Sequence, residues 1–182
     1  MLRGSIFLAT CGAVLALAAP PAKAQALNDT LAYIRDSIAA QGQLVEDQRV
    51  SDSSNGKAWS ERWTILYGNL RTDIAACSLT FHADFTVDGK STFSGDLTYV
   101  FGQVAGLRLT TMDQNMDEND AKGGNPTWSV QSTPPSQDIQ IKFADGHGGG
   151  FYIRDAALAP RLAASITHAA ELCGATPGRA GF

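Results

Sequence analysis

An acidic stretch in the middle of the chain carries the densest set of oxygen ligands. Its oxygen-bearing side chains include Asp113, Asn115, Asp117, Asn119 and Asp120. The first three stand at alternate positions, as at the start of an EF-hand calcium loop. The motif then fails, because Glu118 takes the place of its glycine and Gly124 that of its bidentate glutamate. We therefore predict an exposed polar loop over residues 113–126, with a calcium site at Asp113, Asn115 and Asp117 as the less favoured alternative.

The histidines and the glycine run give no sign of a catalytic or cofactor site. The three histidines are His82, His147 and His168. No two of them share a spacing typical of a metal site, and each is predicted to lie on the surface. The glycines at 148–150 lack the Lys-Ser/Thr pair of a phosphate-binding loop, so they are predicted to form a turn. No nucleophile-elbow sequence is present, although a Ser-His-Asp site could be assembled from scattered residues. The sequence thus predicts no catalytic residue, no metal and no cofactor.

Tryptophans and a pair of aspartates could also mark a site. Trp59, Trp63 and Trp128 could line an apolar pocket, but such tryptophans more often pack in a core or against a hairpin. Asp84 and Asp96 could approach each other across a hairpin, and on a solvated face such a pair needs no catalytic role. Both sets are predicted to be structural.

The first 24 residues have the pattern of a secretory signal peptide. Arg3 is followed by an apolar run over residues 6–19, two prolines and the Ala-Lys-Ala of residues 22–24. A membrane-spanning helix needs about 20 apolar residues, so this shorter run favours a cleaved leader. Cys11 follows a threonine within the apolar run, which disfavours lipidation. We predict a periplasmic or secreted mature chain, residues 25–182, that forms one domain.

The charge of the chain disfavours two classes of partner. The full chain has 14 basic and 18 acidic residues, and loss of Arg3 and Lys23 with the leader makes the net charge about −6. Nucleic-acid binding needs a basic surface, and an anionic membrane is disfavoured for the same reason. No segment after the leader is long and apolar enough to span a bilayer. The predicted partner is therefore an unidentified protein or small molecule.

The two cysteines after the leader, Cys77 and Cys173, both fall on apolar faces of predicted elements. An oxidising compartment favours a disulfide between them. It would close a loop of about 96 residues, worth about 4–5 kcal/mol at most in the chain-entropy model. Two separate buried thiols are the alternative.

Helical periodicity is clear at both ends of the mature chain. Leu27, Leu31, Ile34 and Ile38 define one amphipathic helix; Leu158, Leu162, Ile166, Ala169 and Cys173 define a last helix within residues 155–174. Pro160 disfavours a helix that starts at Asp155. We therefore expect a turn over residues 155–158 and the main helix from about Pro160.

Period-two alternation predicts strands between these helices. The clearest runs from Ala75 to Val87, with a bulge or break expected near Ala83-Asp84 because the run exceeds a typical strand. The hairpin signal Asp88-Gly89 follows. A three-residue loop, residues 88–90, would put Phe85 opposite Phe93 and keep apolar residues on one face, so we predict that loop.

These elements predict a mainly β (α+β) fold: a bent antiparallel β-sandwich or partly open barrel of about seven strands, with an N-terminal helix and a C-terminal capping helix. Sequence features that carry a resemblance are residues 27–34 (LNDTLAYI), 77–79 (CSL), 139–143 (IQIKF), 161–163 (RLA) and 171–174 (ELCG). They resemble the pleckstrin-homology-like (PH-like) fold, and more narrowly a set of uncharacterised secreted bacterial proteins of that kind. The resemblance implies a binding role and no catalytic residues.

No basic phosphoinositide-binding loop like that of the lipid-binding relatives is evident, so that ligand is not implied. A lipocalin-like barrel is the alternative fold. Its Gly-x-Trp signature fails, because two residues separate Gly56 from Trp59.

Two functions stay open at this point. We favour a non-enzymatic secreted or periplasmic binding module; an enzyme, hydrolase-like, with a site that the sequence does not reveal is the alternative. A pocket with several buried, convergent polar groups would favour the enzyme. A filled interior with an exposed apolar groove would favour the binding module.

Overall fold

The computed structural model describes residues 22–178. In chain order the elements are α1 (Ala22–Gln41), β1 (Gln43–Asp52), β2 (Lys57–Asp73), β3 (Ser78–Val87), β4 (Lys90–Val100), a 3-10 turn (Phe101–Gln103), β5 (Val104–Thr111), α2 (Met112–Lys122), β6 (Trp128–Thr133), β7 (Gln137–Phe143), β8 (Gly148–Ile153) and α3 (Leu158–Leu172). The described part of the chain is mainly antiparallel β structure with three helices.

The strands form two antiparallel sheets. The five-stranded sheet has the order β4-β3-β2-β1-β6, and the three-stranded sheet has the order β5-β7-β8. The chain passes from one sheet to the other after β4, after β5 and after β6. The predicted mainly β class is confirmed, but the two sheets do not close into a barrel.

Both predicted amphipathic helices are present, and they pack against each other. The buried side chains of α1 are Leu27, Leu31, Ile34 and Ile38, as their spacing predicts. α3 begins at Leu158, so Pro160 lies in the first turn. Backbone N–H groups in the first turn have no intrahelical partner, so the missing N–H of proline removes no hydrogen bond there. Asp155 Oδ1 accepts the N–H groups of Ala157 and Leu158 at 2.8 and 3.2 Å. This contact fixes the predicted turn before the helix.

The β3–β4 hairpin has the predicted faces but a shorter loop. The cross-strand pairs include Phe81–Leu97 and Phe85–Phe93. Val87 pairs with Lys90, so the loop is the two-residue Asp88-Gly89, and both loop residues have positive φ as a type I′ turn requires. The predicted three-residue loop is therefore wrong. A bulge at Thr92 supplies the extra residue that returns the apolar side chains to one face.

The start of β3 and the position of its expected bulge also differ from the prediction. β3 begins at Ser78 because residues 74–77 form a turn, in which Cys77 has a φ of 52°. The pairing of β3 is irregular opposite β2, where the register shifts between Gly68 and Arg71. The bulge therefore belongs to β2 and not to Ala83-Asp84.

The acidic stretch predicted as a loop is the helix α2, so that prediction is wrong. Thr111 caps the helix, because its hydroxyl accepts the N–H of Gln114 at 3.1 Å. Asp113 lies in the first turn, where a negative charge complements the helix dipole. Met112 is fully buried and Met116 half-buried, so tertiary contacts hold a helix whose remaining surface is polar.

β8 begins inside the glycine run that the sequence predicted as a turn. Its free edge bonds to two tyrosines of the five-stranded sheet: Gly150 N–H donates to Tyr99 Oη at 2.9 Å, and Tyr152 N–H donates to Tyr67 Oη at 3.0 Å. A Cβ added at Gly149 would lie 2.6 Å from Tyr99 Oη. Glycine therefore lets the edge of one sheet approach the tyrosines of the other, and the edge strand is covered without barrel closure.

Cys77 and Cys173 lie where the turn before β3 meets the end of α3. Their sulfur atoms are 2.09 Å apart and their Cα atoms 6.0 Å apart. Both residues are half-buried at the margin of the core. The structure thus pairs the two cysteines; whether the protein is oxidised at this position stays a prediction for a thiol assay.

Most of the predicted signal peptide, residues 1–21, lies outside the described residues. Residues 22–24, before the predicted cleavage point, form the first turn of α1, and the first buried side chain of the helix is Leu27. None of the helices within residues 22–178 is long and apolar enough to cross a membrane.

Candidate functional site

A cleft opens between the polar face of the three-stranded sheet, α2 and the β3–β4 hairpin. The sheet contributes Asp138, Gln140 and Tyr152, α2 contributes Asn115 and Asn119, and the hairpin contributes Phe85, Phe93 and Leu97. The volume is about 470 Å³, within the range of small-molecule sites. We call this site the Asp138 cleft.

Asp138 is a buried carboxyl at the polar end of this cleft. It is 3% exposed and lies on β7 between Thr110 of β5 and Tyr152 of β8. The side-chain amide of Gln140 donates to Asp138 Oδ2 at 3.0 Å. Loss of hydration raises the pKa of Asp138 to about 6, although the Gln140 bond and the charge of Arg108 act in the opposite direction. This carboxyl therefore titrates close to neutral pH.

Asn115 of α2 joins this carboxyl to a second polar group, the hydroxyl of the half-buried Tyr152. Hydrogen bonding by Asn115 opposes the rise in the pKa of both Asp138 and Tyr152. Burial and the charge of Asp138 nonetheless raise the pKa of Tyr152, so its hydroxyl stays protonated at neutral pH. A carboxyl, a phenol and two carboxamides, those of Asn115 and Gln140, converge at this end of the cleft.

Arg108 of β5 is bound to Glu118 of α2 and not to Asp138. Its guanidinium donates to both carboxylate oxygens of Glu118, one of them at 2.6 Å. This hydrogen bonding lowers the pKa of Glu118 to about 2. Because the carboxylate of Glu118 already pairs with the guanidinium of Arg108, Arg108 acts on Asp138 only through a longer-range electrostatic attraction.

An aromatic wall continues from the polar end of the cleft to solvent. The ring centroids of Phe85 and Tyr152 are 6.2 Å apart, and those of Phe85 and Phe93 are 5.7 Å apart. Phe93 is 38% exposed, so apolar surface reaches the mouth of the cleft. On β8, the strand neighbour of Gln140 is Gly150, so no side chain covers that part of the floor.

Comparisons with protein-family models, curated proteins and solved structures found no match to this chain. No relative therefore assigns a role to any residue of the cleft.

The alternation of Asp138 and Gln140 with the apolar Ile139 and Ile141 is typical of a half-buried strand, and it predicts that Asp138 lies on the solvated face. The structure shows that α2 covers this polar face, so the error follows from reading α2 as a loop. One signal was available: Thr111 and Gln114 match the Ser/Thr-x-x-Glu/Gln capping box that starts many helices.

The residues considered as a calcium loop have other partners in the helix. Asp113 accepts the backbone N–H of Ser132 at 2.9 Å and also its hydroxyl, and Asp117 accepts the N–H of Val130 at 2.7 Å. These two N–H groups belong to β6, the edge of the five-stranded sheet, so the carboxylates cover that edge. Asn115 instead lines the Asp138 cleft. Within residues 22–178, no cluster of three or more His, Cys, Asp or Glu side chains could hold a metal.

A serine, a histidine and two aspartates meet on the solvated face of the hairpin. His82 Nδ1 lies 2.7 Å from Asp96 Oδ1, and Nε2 lies 3.4 Å from both Ser94 Oγ and Asp84 Oδ1. Ser94 donates to Asp84 at 2.5 Å, so its proton is not directed at the imidazole. Asp96 and Asp84 raise the pKa of His82, which favours the cation over a general base. The geometry is that of a surface ion-pair network. The other histidines, His147 and His168, are exposed.

The three tryptophans come together at a second, smaller pocket. Trp59 and Trp128 form an edge-to-face pair with centroids 5.2 Å apart, and Trp63 completes the set. All three are half-buried, so the prediction of plain core packing does not describe them fully. The pocket has a volume of about 280 Å³ and is called the tryptophan pocket below.

Proposed function

We propose that this protein is a non-enzymatic binding module and that its Asp138 cleft takes a small amphipathic amine. The ammonium group binds at the carboxylate of Asp138, and the apolar body of the ligand lies along the hairpin wall. The observation that carries the proposal is a carboxyl only 3% exposed at the inner end of an aromatic cleft open to solvent.

The chemistry of the cleft supports a cation over an anion or a neutral molecule. A buried carboxylate is costly unless a positive group or strong donor pairs with it. Gln140 and Asn115 supply only neutral donors, and Arg108 is engaged by Glu118. Aromatic rings such as Tyr152 and Phe85 also attract a cation through their negative faces. A protonated amine can therefore both pair with the buried carboxylate and contact the faces of the aromatic rings.

A binding experiment with two matched ligands tests the proposal. Phenethylamine and 2-phenylethanol share an apolar body and differ in charge. Ligand-observed NMR at pH 7.5 should show at least about tenfold tighter binding of the amine, since one charge-assisted hydrogen bond contributes about 1.5–3 kcal/mol. The preference should disappear in Asp138→Asn and should weaken below pH 6, where the carboxyl of Asp138 protonates. Equal affinities in the wild type, or a preference unchanged in Asp138→Asn, would refute the proposal.

The same carboxyl favours one second candidate, an enzyme that uses Asp138 as a general acid or base. A pKa of about 6 suits proton transfer near neutral pH, and a buried carboxyl among half-buried polar side chains is part of the feature expected of an enzyme. The ligand experiment separates the two roles. A bound amine that stays chemically unchanged during long incubation supports the binding module, whereas product that forms with the wild type and not with Asp138→Asn supports the enzyme.

Export to the periplasm or medium, and likeness to secreted proteins of PH-like fold, belong to the same proposal. A cleaved leader and two paired cysteines are consistent with an oxidising compartment. N-terminal sequencing of the exported chain should find Gln25 first. An intact N-terminus in the cytoplasmic fraction would contradict export.

A further inference from the structure

The tryptophan pocket lies on the inner face of the five-stranded sheet, where α2 covers it. Trp59 and Trp63 come from β2 and Trp128 from β6, with Met116 of α2 opposite. Between the first two lies Glu61, which accepts the indole N–H of Trp59 at 2.8 Å and that of Trp63 at 3.3 Å. Glu61 is therefore a positioning residue that orients two indole rings.

Gln48 makes this pocket more than an aromatic cluster. Its side chain lines the pocket from β1, where its strand neighbours are Glu61 and Ser132. It is 2% exposed, and neither Oε1 nor Nε2 has a hydrogen-bond partner in the structure. Buried amides normally have hydrogen-bond partners, because an unsatisfied donor or acceptor loses its hydrogen bonds to water and gains none in the protein. The wall of the pocket thus contains an unpaired donor and an unpaired acceptor from one amide.

Two more polar side chains reach the same pocket from α2. Asp120 and Asn119 both line it. Burial, together with the carboxylates of Asp117 and Glu61, raises the pKa of Asp120. The polar side of the pocket therefore offers donors and acceptors opposite indole rings.

We propose that the tryptophan pocket binds a pyranose sugar, either free or at the end of a glycan. The C–H face of a pyranose ring packs on an indole face, which carries negative charge density. Neighbouring ring hydroxyls can each donate and accept, so two of them satisfy Nε2 and Oε1 of Gln48 together, while Asp120 and Asn119 take others. A volume of about 280 Å³ suits one such ring.

A quaternary ammonium is the competing ligand for an aromatic and acidic pocket. It has no hydrogen-bond donor or acceptor, so the amide of Gln48 would stay unpaired beneath it. The buried amide therefore favours the sugar.

Intrinsic fluorescence isolates this site. The chain contains three tryptophans, and all three line this pocket, whereas none lines the Asp138 cleft. The mature protein is titrated with methyl β-D-glucopyranoside, N-acetylglucosamine and cellotriose, and with tetramethylammonium as the cationic probe. We expect a saturable change in tryptophan emission with at least one sugar. Tighter binding of cellotriose than of the monosaccharides indicates a glycan end, and equal binding indicates a free sugar.

Two variants and a control test the residues. Gln48→Met keeps the length of the side chain and removes both polar atoms, and it should weaken sugar binding about tenfold or more. Trp128→Ala should weaken it through loss of the ring. Gln43→Met, an exposed position on the same strand, should leave it unchanged. Circular dichroism checks that each variant folds.

The proposal is overturned if no sugar changes the emission of the folded wild type, or if tetramethylammonium alone does so. It is also overturned if Gln48→Met binds sugar as tightly as the wild type. These outcomes do not depend on Asp138, so the result is independent of the amine proposal.

Discussion

Replacement of Asp138 by asparagine should stabilise the protein at neutral pH while it removes amine binding. The carboxyl has a pKa of about 6 in the folded protein, against an ordinary value of 3.8. Each pKa unit corresponds to about 1.36 kcal/mol, so ionisation of this buried group costs the native state on the order of 3 kcal/mol at pH 7. Asparagine has nearly the same shape and no charge, and its carbonyl oxygen can still accept from Gln140.

The direction of the pH dependence follows from the raised pKa. Between about pH 4 and pH 6 the folded protein holds a proton on Asp138 that the unfolded chain has lost. Wild-type stability from this group is therefore highest below pH 4 and falls as the pH rises to about 6. The stability difference between Asp138→Asn and the wild type should be small at pH 4 and should grow to about 3 kcal/mol in favour of the variant at pH 7.

Urea unfolding of both proteins in matched buffers from pH 4 to pH 7 measures this difference, because contributions of all other groups cancel. Asp145→Asn is a control of opposite sign. A hydrogen bond from the backbone N–H of His147 lowers the pKa of Asp145, so that variant should be the less stable protein at neutral pH. A difference for Asp138→Asn that does not change with pH would refute the reasoning, because it would mean that Asp138 is hydrated or paired in solution.

Three further outcomes test the fold around the two sites, and a fourth tests the cysteines. Asp113→Ala should cost about 2 kcal/mol in urea unfolding, because it leaves the N–H of Ser132 unpaired, and calcium should not shift the wild-type melting temperature. Gly149→Ala should cost about 1–3 kcal/mol through its clash with Tyr99, whereas Gly148→Ala, which meets only ordinary contacts, should be close to neutral. Glu118→Gln should cost about 1 kcal/mol above pH 4.5 after allowance for solvent screening; since the pKa of Glu118 is lowered, this difference should vanish as the pH falls towards 2. Mass spectrometry without reductant should detect no free thiol at Cys77 or Cys173, and alkylation of either would contradict the pairing.

The elements with regular apolar spacing could be predicted from the sequence, because burial alone determines them. The buried apolar stripe of α1 and the cross-strand pair of Phe85 with Phe93 can both be predicted, because each element turns one apolar face towards the same core. The hairpin loop could not be predicted in the same way. Two solutions, a three-residue loop and a two-residue loop with a bulge at Thr92, give the same faces, and only the positive φ values of Asp88-Gly89 distinguish them.

α2 escaped prediction because its stability comes from polar contacts over long sequence distances. Only Met112 and Met116 of its side chains reach the core, so a search for apolar periodicity finds nothing. Its carboxylates Asp113 and Asp117 instead bond to the backbone of β6, which follows it in the chain. A pattern of buried residues cannot reveal partners of that kind. The burial of Asp138 could not be predicted for the same reason, since that side chain is buried only because α2 lies over it.

The buried polar side chains of the described fold concentrate around α2. Asp138 and Gln48 line the two pockets beside this helix, and Glu46, only 1% exposed, leaves Oε2 without a partner next to them on β1. Apolar residues in place of Asp138 and Gln48 would give a more stable protein, because each buried polar group costs free energy unless it is fully paired. Glu46 differs, because its Oε1 accepts the backbone N–H of Ser136 at 3.0 Å and its side chain lines neither pocket. The two side chains that face the cavities therefore lower the stability of the fold, which is what both binding proposals expect.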